Sequence, residues 1–350
     1  MFAYFAVSSI AYTGGVISAL GRRPSQVGLA MLVFFGMVLS LFIGLRFEVG
    51  KDWVQYNYLY EVISDEPFIQ AVGVTDLGYS LINWLSYQIG FGIAGVFLFC
   101  AIVLAVGIVM FALRTPYPWI AVAATMPHIV TVMAMDHVRQ ATALGIILIG
   151  LAYLDRRKVW TFLACIVLAA LFHRTAIILM GFGVVLVSKN RALLYPTFLA
   201  IAAIVIQYML SDRLDIYSSR YLESEAGSRG ALLRLFLNAL PAAGFLVIQN
   251  RLNISPQLRK VLVLMAWAAV ICFVAMPLSP STVVVDRIGK YFLPVQIFFF
   301  SYFVTMFYGA VARAAVALLI VSYLMFTQVY WLAKSDLAQN FWVPYKMVGF

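Results

Sequence analysis

Long apolar runs separated by short polar breaks recur along the whole chain. Runs stand near residues 2–20, 27–45, 91–113, 117–134, 138–154, 159–172, 175–188, 193–210, 232–250, 260–277, 288–307 and 314–333. Most are about 17–23 residues long, the length of a membrane-crossing helix and not of a ten-residue alternating strand. In lipid, backbone groups must be satisfied within the segment, which leaves helices or closed barrels. The pattern therefore predicts an all-α polytopic membrane protein of about 12 transmembrane helices, forming a single integral membrane domain over 1–350.

Two stretches break the pattern. Segment 46–90 predicts an interfacial helical insert. In 52–63, DWVQYNYLYEVI, the residues Asp52, Tyr56 and Tyr60 fall at i, i+4 and i+8 on one helix face. The later stretch 76–90 is aromatic and mildly polar, suited to the membrane interface. Segment 211–231, SDRLDIYSSRYLESEAGSRGA, is the longest hydrophilic run and predicts an external loop.

Composition agrees with this picture. Hydrophobic residues make up 64% and charged residues 11% of the chain, against about a quarter charged in a soluble domain. The net charge of +10 reads as loop arginine and lysine flanking spans, not as a nucleic-acid surface. The first run lacks a basic leader and is followed by Arg22 and Arg23, which predicts an uncleaved span with its N-terminus outside. Short loops carrying Arg114, Arg156, Arg157, Lys158, Arg251 and Arg313 hold one acid, Asp155. The other thirteen of the 14 acids fall on the opposite side. Each side carries twelve of the 24 Lys and Arg, but those of the acid-poor side stand in short loops, so the short-loop form of the positive-inside rule makes that side cytoplasmic and the acid-rich side external.

Candidate chemistry collects on that external side. Arg46, Arg139, Arg174 and Arg287 stand at the ends of apolar runs, where a charge costs a few kcal/mol unless it has a partner or a purpose. Each alone could snorkel to the interface. Together their forks suit phosphate oxygens, as in a lipid headgroup or a polyprenyl diphosphate. His173, between two apolar runs, is either a structural helix-end residue or a proton acceptor. Asp52 is an alternative base or a sugar-orienting group. Asp136, three residues before Arg139, either neutralises it or acts in its own right. The tyrosines of 56–87 are an interface belt or a platform for sugar faces. Cys100, Cys165 and Cys272 lie in apolar runs without CxxC spacing and read as packing residues. No phosphate loop, dinucleotide motif or His-rich metal spacing occurs, so neither nucleotide nor metal is expected.

Ordered elements along the chain resemble the EpsG family of Wzy-type exopolysaccharide and O-antigen polymerases. These are Arg46, Asp52 and Tyr56, with Gly50 before the aspartate; Asp76, Gly78 and Tyr79; Arg139 and Gln140; Phe172 and His173; Asp286, Arg287, Tyr291 and Phe292; and the terminal Trp342, Pro344 and Tyr345. Trp53 stands where the family usually has tyrosine, and 193–275 carries no matching element.

The resemblance implies a GT-C-like fold in the bacterial inner membrane, with an active periplasmic face and no cofactor. It implies a glycosyltransferase that joins undecaprenyl-diphosphate-linked oligosaccharide repeats. The growing glycan would pass to the non-reducing end of a new repeat, with a flippase and a chain-length regulator as partners. In that scheme His173 or Asp52 is the catalytic base. Arg46, Arg139, Arg287 and Arg174 bind diphosphate. Tyr56, Tyr60, Asp76, Tyr79, Gln140 and Asp286 contact sugar. A flippase or exporter of the same lipid, an O-antigen-type ligase and a membrane acyltransferase are the rival readings. Transporters commonly carry internal repeats, which this sequence lacks.

Overall fold

A computed structural model describes residues 1–21, 25–187, 230–279 and 281–349. The expected span at 193–210 and nearly all of the expected loop at 211–231 lie outside the described residues. Among the described residues the chain is helical, with one isolated antiparallel bridge between Arg46 and Met347.

The helices are α1 (Phe2–Leu20), α2 (Gln26–Gly44), α3 (Trp53–Asp65), α4 (Leu77–Gln88), α5 (Gly92–Ala112) and α6 (Pro118–Thr125). Then follow α7 (Val138–Asp155), α8 (Val159–Phe172), α9 (Met180–Val187), α10 (Ala231–Ile248) and α11 (Pro256–Ala275). The last are α12 (Thr282–Gly289), α13 (Leu293–Phe303), α14 (Ala310–Lys334) and α15 (Asp336–Phe341). Seven are long and apolar enough to cross a membrane: α1, α2, α5, α7, α10, α11 and α14. The protein is thus a multi-pass membrane protein.

Four expected spans are not met by one long apolar helix. Helix α6 runs on through wide π-type turns from Met126 to Ala134. Pro127 has no N–H to give to the α-helical ladder, which favours such a widening. Helices α8 and α9 are joined by a tight 3-10 segment, Arg174–Leu179. The expected span at 288–307 is divided into the end of α12, a 3-10 turn at Lys290–Phe292, and the 11-residue α13. The expected insert at 46–90 is present as α3, one short turn at Phe68–Ala71, and α4.

Helix α7 is the axis of the bundle. Within its membrane window 78% of residues are buried, against 28% for α14 at the periphery. It packs on α5 and α8, and α5 packs in turn on α2. Gly107 and Gly145 let α5 and α7 touch backbone to backbone, since a Cβ on Gly145 would stand 2.6 Å from the Leu104 Cα. Helix α1 lies against α6 and α14, and α10 against α11 and α13. In the core between α1, α14 and the π turns, Gln328 satisfies a fully buried polar knot. It accepts from the Tyr12 hydroxyl at 2.8 Å and donates to Ser8 and Thr131 at 2.8 Å each.

The two ends of the bundle differ. At one end, arginines tie off loops. Arg313 donates to the carbonyl of Ala19 at 3.2 Å, and the backbone N–H of Ser255 meets Asp155 at 3.4 Å. At the other end lie the starts of α3, α4, α7 and α10, the ends of α2, α6 and α8, and the C-terminal segment after α15. Acids and bases are drawn together there.

Candidate functional site

Asp76 is the hub of this polar end. It caps the start of α4 and is 9% exposed. One carboxylate oxygen meets Arg139 Nη1 at 2.9 Å and the His173 Nδ1 at 3.8 Å. The other faces Arg174, whose Nε lies at 3.7 Å and whose backbone N–H lies at 3.4 Å. Arg139 also donates to Thr75 Oγ1 at 2.6 Å. Burial alone would raise the Asp76 carboxyl. The neighbouring His173 and the charges of Arg139 and Arg174 outweigh it and hold the group below the usual carboxylate range.

Gly78 permits this arrangement: a Cβ there would press on the Leu171 carbonyl at 3.0 Å and the Phe172 ring at 3.1 Å. The end of α8, carrying His173, could not then close on α4. Burial pushes the His173 imidazole below its ordinary value, against the pull of Asp76. The ring is therefore neutral near pH 7, and both ring nitrogens are buried without a hydrogen-bond partner. A neutral imidazole can take a proton, and an unpartnered one is costly unless a ligand completes it.

The surrounding walls come from four more elements. Arg139 lies 6.0 Å from the Tyr79 ring centre, and Tyr79 meets Tyr56 at 5.7 Å between ring centres. Gln140 donates to the Arg287 carbonyl at 2.6 Å, tying α7 to α12, while its own Oε1 is buried and unpartnered. Thr175 and the Tyr291 hydroxyl lie 3.2 Å apart. Arg174 is more open than Arg139, its side chain 41% exposed against 23%.

Asp52 and Asp136 form a second grouping beside the first. The backbone N–H of Asp52 donates to Asp136 Oδ1 at 2.9 Å. Burial raises both carboxyls, and the Asp52 charge raises Asp136 further, to about 6. Arg287, Lys51, Arg139 and Lys290 oppose that rise at Asp52. Asp136 therefore does not neutralise Arg139, whose acid is Asp76. The donor atoms of Asp52, Asp136 and His137 lie within 4.8 Å of one another. The ring of cations around them opposes a further positive ion, and the two acids stand as a close carboxylate pair.

Other expected site residues are placed differently. Arg46 is 2% exposed. It donates to the carbonyls of Ile43 at 2.7 Å, Met135 at 3.2 Å and Val49 at 3.4 Å, and stacks over Phe97 at 4.3 Å. The cavity beside it, about 10 Å³, is lined by Ile43, Phe97, Cys100 and Leu104 and has room for one water. Tyr60 lies a turn beyond Tyr56 on α3, against Tyr87 at 6.5 Å, away from Asp76. Asp286 is held by Arg234 at 3.0 Å and Lys290 at 3.1 Å. Lys290 was legible as the i+4 partner of Asp286. Arg234 carried no such signal, being 52 residues away and inside the stretch without matching elements.

Fold and site define an enzyme-like polar centre at one end of a membrane-embedded helical bundle. The EpsG family matches residues 29–347, and the chain belongs to that family of Wzy-type polysaccharide polymerases. No curated protein and no solved structure matches the chain.

Proposed function

We propose that the protein polymerises lipid-linked oligosaccharide repeats, using a growing glycan on undecaprenyl diphosphate as donor. The observation that supports this most is the neutral, unpartnered His173 beside three arginines and Asp76. Arg139, Arg174 and Arg287 receive the diphosphate, whose charge grows as the anomeric C–O bond breaks. His173 accepts the proton of the acceptor's non-reducing-end hydroxyl as that oxygen attacks the anomeric carbon. Undecaprenyl diphosphate leaves. Asp52, beside Arg287, orients the acceptor sugar and is the alternative base.

The walls of Tyr56, Tyr79, Gln140 and Asp76 line the sugar path. Tyr60 extends its outer rim, and Asp286 holds the segment that carries Arg287. Arginine charge can neutralise the leaving group, so the scheme needs no nucleotide and no metal. The acid-rich end faces the periplasm of a bacterial inner membrane, where a flippase supplies substrate and a chain-length regulator limits product. A GT-C-like arrangement of the helices fits this use.

The test is reconstitution in nanodiscs with the lipid-linked repeat of the host strain. A ladder of products without nucleotide sugar, lost in His173→Ala, is the expected result. Movement of the lipid across a proteoliposome bilayer without a ladder would make the protein a flippase. Transfer onto a different lipid acceptor would make it a ligase.

A further inference from the structure

Three backbone hydrogen bonds and one from a side chain fasten the C-terminal segment across the end of α2 and the loop that follows it. Phe47 N–H donates to Lys346 O at 3.0 Å, Val348 N–H to Leu45 O at 2.8 Å, Gly50 N–H to Phe341 O at 2.9 Å, and the Tyr345 hydroxyl adds a bond to Phe42 O at 2.6 Å. Trp342 is fully buried below them and donates to Thr131 O at 2.7 Å. Gly50 has a φ of +99° and lies against the Met135 carbonyl, where a Cβ would collide. The guanidinium of Arg46 bonds the carbonyls of Val49 and Met135 from inside. Each of those residues lies within three positions of an acid, Val49 before Asp52 and Met135 before Asp136.

We propose that Arg46 is a positioning residue: with the C-terminal strap it clamps two chain segments together so that Asp52 and Asp136 stand as one carboxylate pair, and it does not bind the substrate's diphosphate. The proposal rests on the polymerase reading for the use made of the pair, but not for the clamp itself. Three carbonyls hold Nε and Nη1 of Arg46 and Phe97 covers its face. Its Nη2 has no partner, but the residue has only 2% of its surface exposed, which closes it to a substrate group. A lysine keeps the charge but cannot reach three carbonyls with one planar fork. The charged groups facing the pair are Lys51 on the same loop, Arg139 on α7, Arg287 on α12, Lys290 on the turn after it, and Arg46 itself. His137 lies beside Asp136 at 3.6 Å. These surroundings stay in place when the clamp alone is loosened.

Two measurements on the full-length protein in nanodiscs test this. The first is infrared titration of the protonated carboxyl band, which needs no substrate. The second is the affinity for undecaprenyl diphosphate. Arg46→Lys is expected to lower the carboxyl titration midpoint by about one pH unit as water reaches the separated acids. It should leave diphosphate affinity within about twofold while polymerisation slows about tenfold. Val348→Pro removes one strap hydrogen bond at an exposed position and should act in the same direction, more weakly; it serves if Arg46→Lys does not fold. Arg139→Ala is the control and should weaken diphosphate binding at least about tenfold. An affinity loss in Arg46→Lys equal to that of Arg139→Ala, or an unmoved titration midpoint in both clamp variants, overturns the proposal. Unchanged affinity in Arg139→Ala would instead remove the diphosphate site of the polymerase reading and leave the clamp standing.

Discussion

Arg46 and Arg139 lie at the same end of the bundle, yet the structure uses them in opposite ways. Arg46 is sealed under Phe97 and gives its Nε and Nη1 to main-chain carbonyls. Arg139 keeps 23% of its side chain exposed and is paired with a side-chain acid, Asp76, that also serves His173 and Arg174. Both regions keep buried polar atoms without a partner, Arg46 Nη2 in the first and atoms of His173 and Gln140 in the second. What separates them is access: Arg46 is closed to solvent, while Arg139 and Arg174 stay partly open. A closed set of main-chain bonds fixes a shape, whereas open charged groups can receive a ligand. In the proposed scheme the open region meets substrate and the closed one supports it.

The comparison can be broken most forcefully at Arg139. Arg139→Ala should reduce polymer at least about a hundredfold, the scale of losing one preorganised charge at the reaction centre. Single lipid-linked repeats should then accumulate in cells, and polymer of normal amount and length would remove Arg139 from the site.

Next in size is Asp76→Asn, which leaves two arginines without their shared acid. Breaking a buried charge pair costs about 3–5 kcal/mol, so thermal unfolding in detergent should begin at a clearly lower temperature. An unchanged transition would mean that water already screens the hub.

Trp342→Phe tests the closed side. It removes the donor to Thr131 O and part of the buried ring, for a loss of about 1–3 kcal/mol. The C-terminal strap should become sensitive to protease before the rest of the chain. Protection equal to wild type would show that the other strap bonds suffice.

A smaller and more specific effect is expected at Asp136. Its carboxyl titrates at about 6 in the folded protein, above the ordinary value of 3.8. The folded state therefore holds this proton more tightly than the unfolded chain. The stabilisation is complete below the ordinary value and is lost as pH rises through about 6. Asp136→Asn should flatten that part of the stability–pH curve. It also withdraws a negative charge from Asp52, so the acidic limb of the polymerisation profile should move to lower pH. A limb that stays in place would separate the pair from catalysis.

The least effect belongs to Lys346→Met. The exposed Lys346–Glu48 pair should contribute no more than about 1 kcal/mol, and activity should be unchanged. A large loss would mean that the strap depends on this pair more than on its backbone bonds.

Much of this was legible in the residues. Asp52, Tyr56, Asp76, Tyr79, Arg139, Gln140 and His173 were singled out in the chain, and the structure brings Asp76, Arg139, His173 and Arg174 into one ion cluster. What sequence spacing misassigned are partners. Asp136 stands three residues from Arg139 but accepts from the Asp52 backbone, while Arg139 pairs with Asp76; the chain breaks between the π turns and α7, so the i+3 spacing of one continuous helix does not apply. Tyr60 shares a helix face with Tyr56, yet α3 carries it a turn further out, onto Tyr87. The division of the expected 288–307 span was hidden because hydropathy registers how apolar a segment is, not where its helical ladder breaks.

Apolar length along the chain was enough to show that the protein lives in a membrane and crosses it many times as helices. Lipid tolerates no unpaired backbone, and apolar length alone reports a span. The order of loops also predicts that most acids share one side. Packing alone settled which arginine is enclosed by carbonyls and which stays partly open. A guanidinium reads the same in a chain whether carbonyls or a substrate will face it, and those carbonyls come from residues up to 89 positions away.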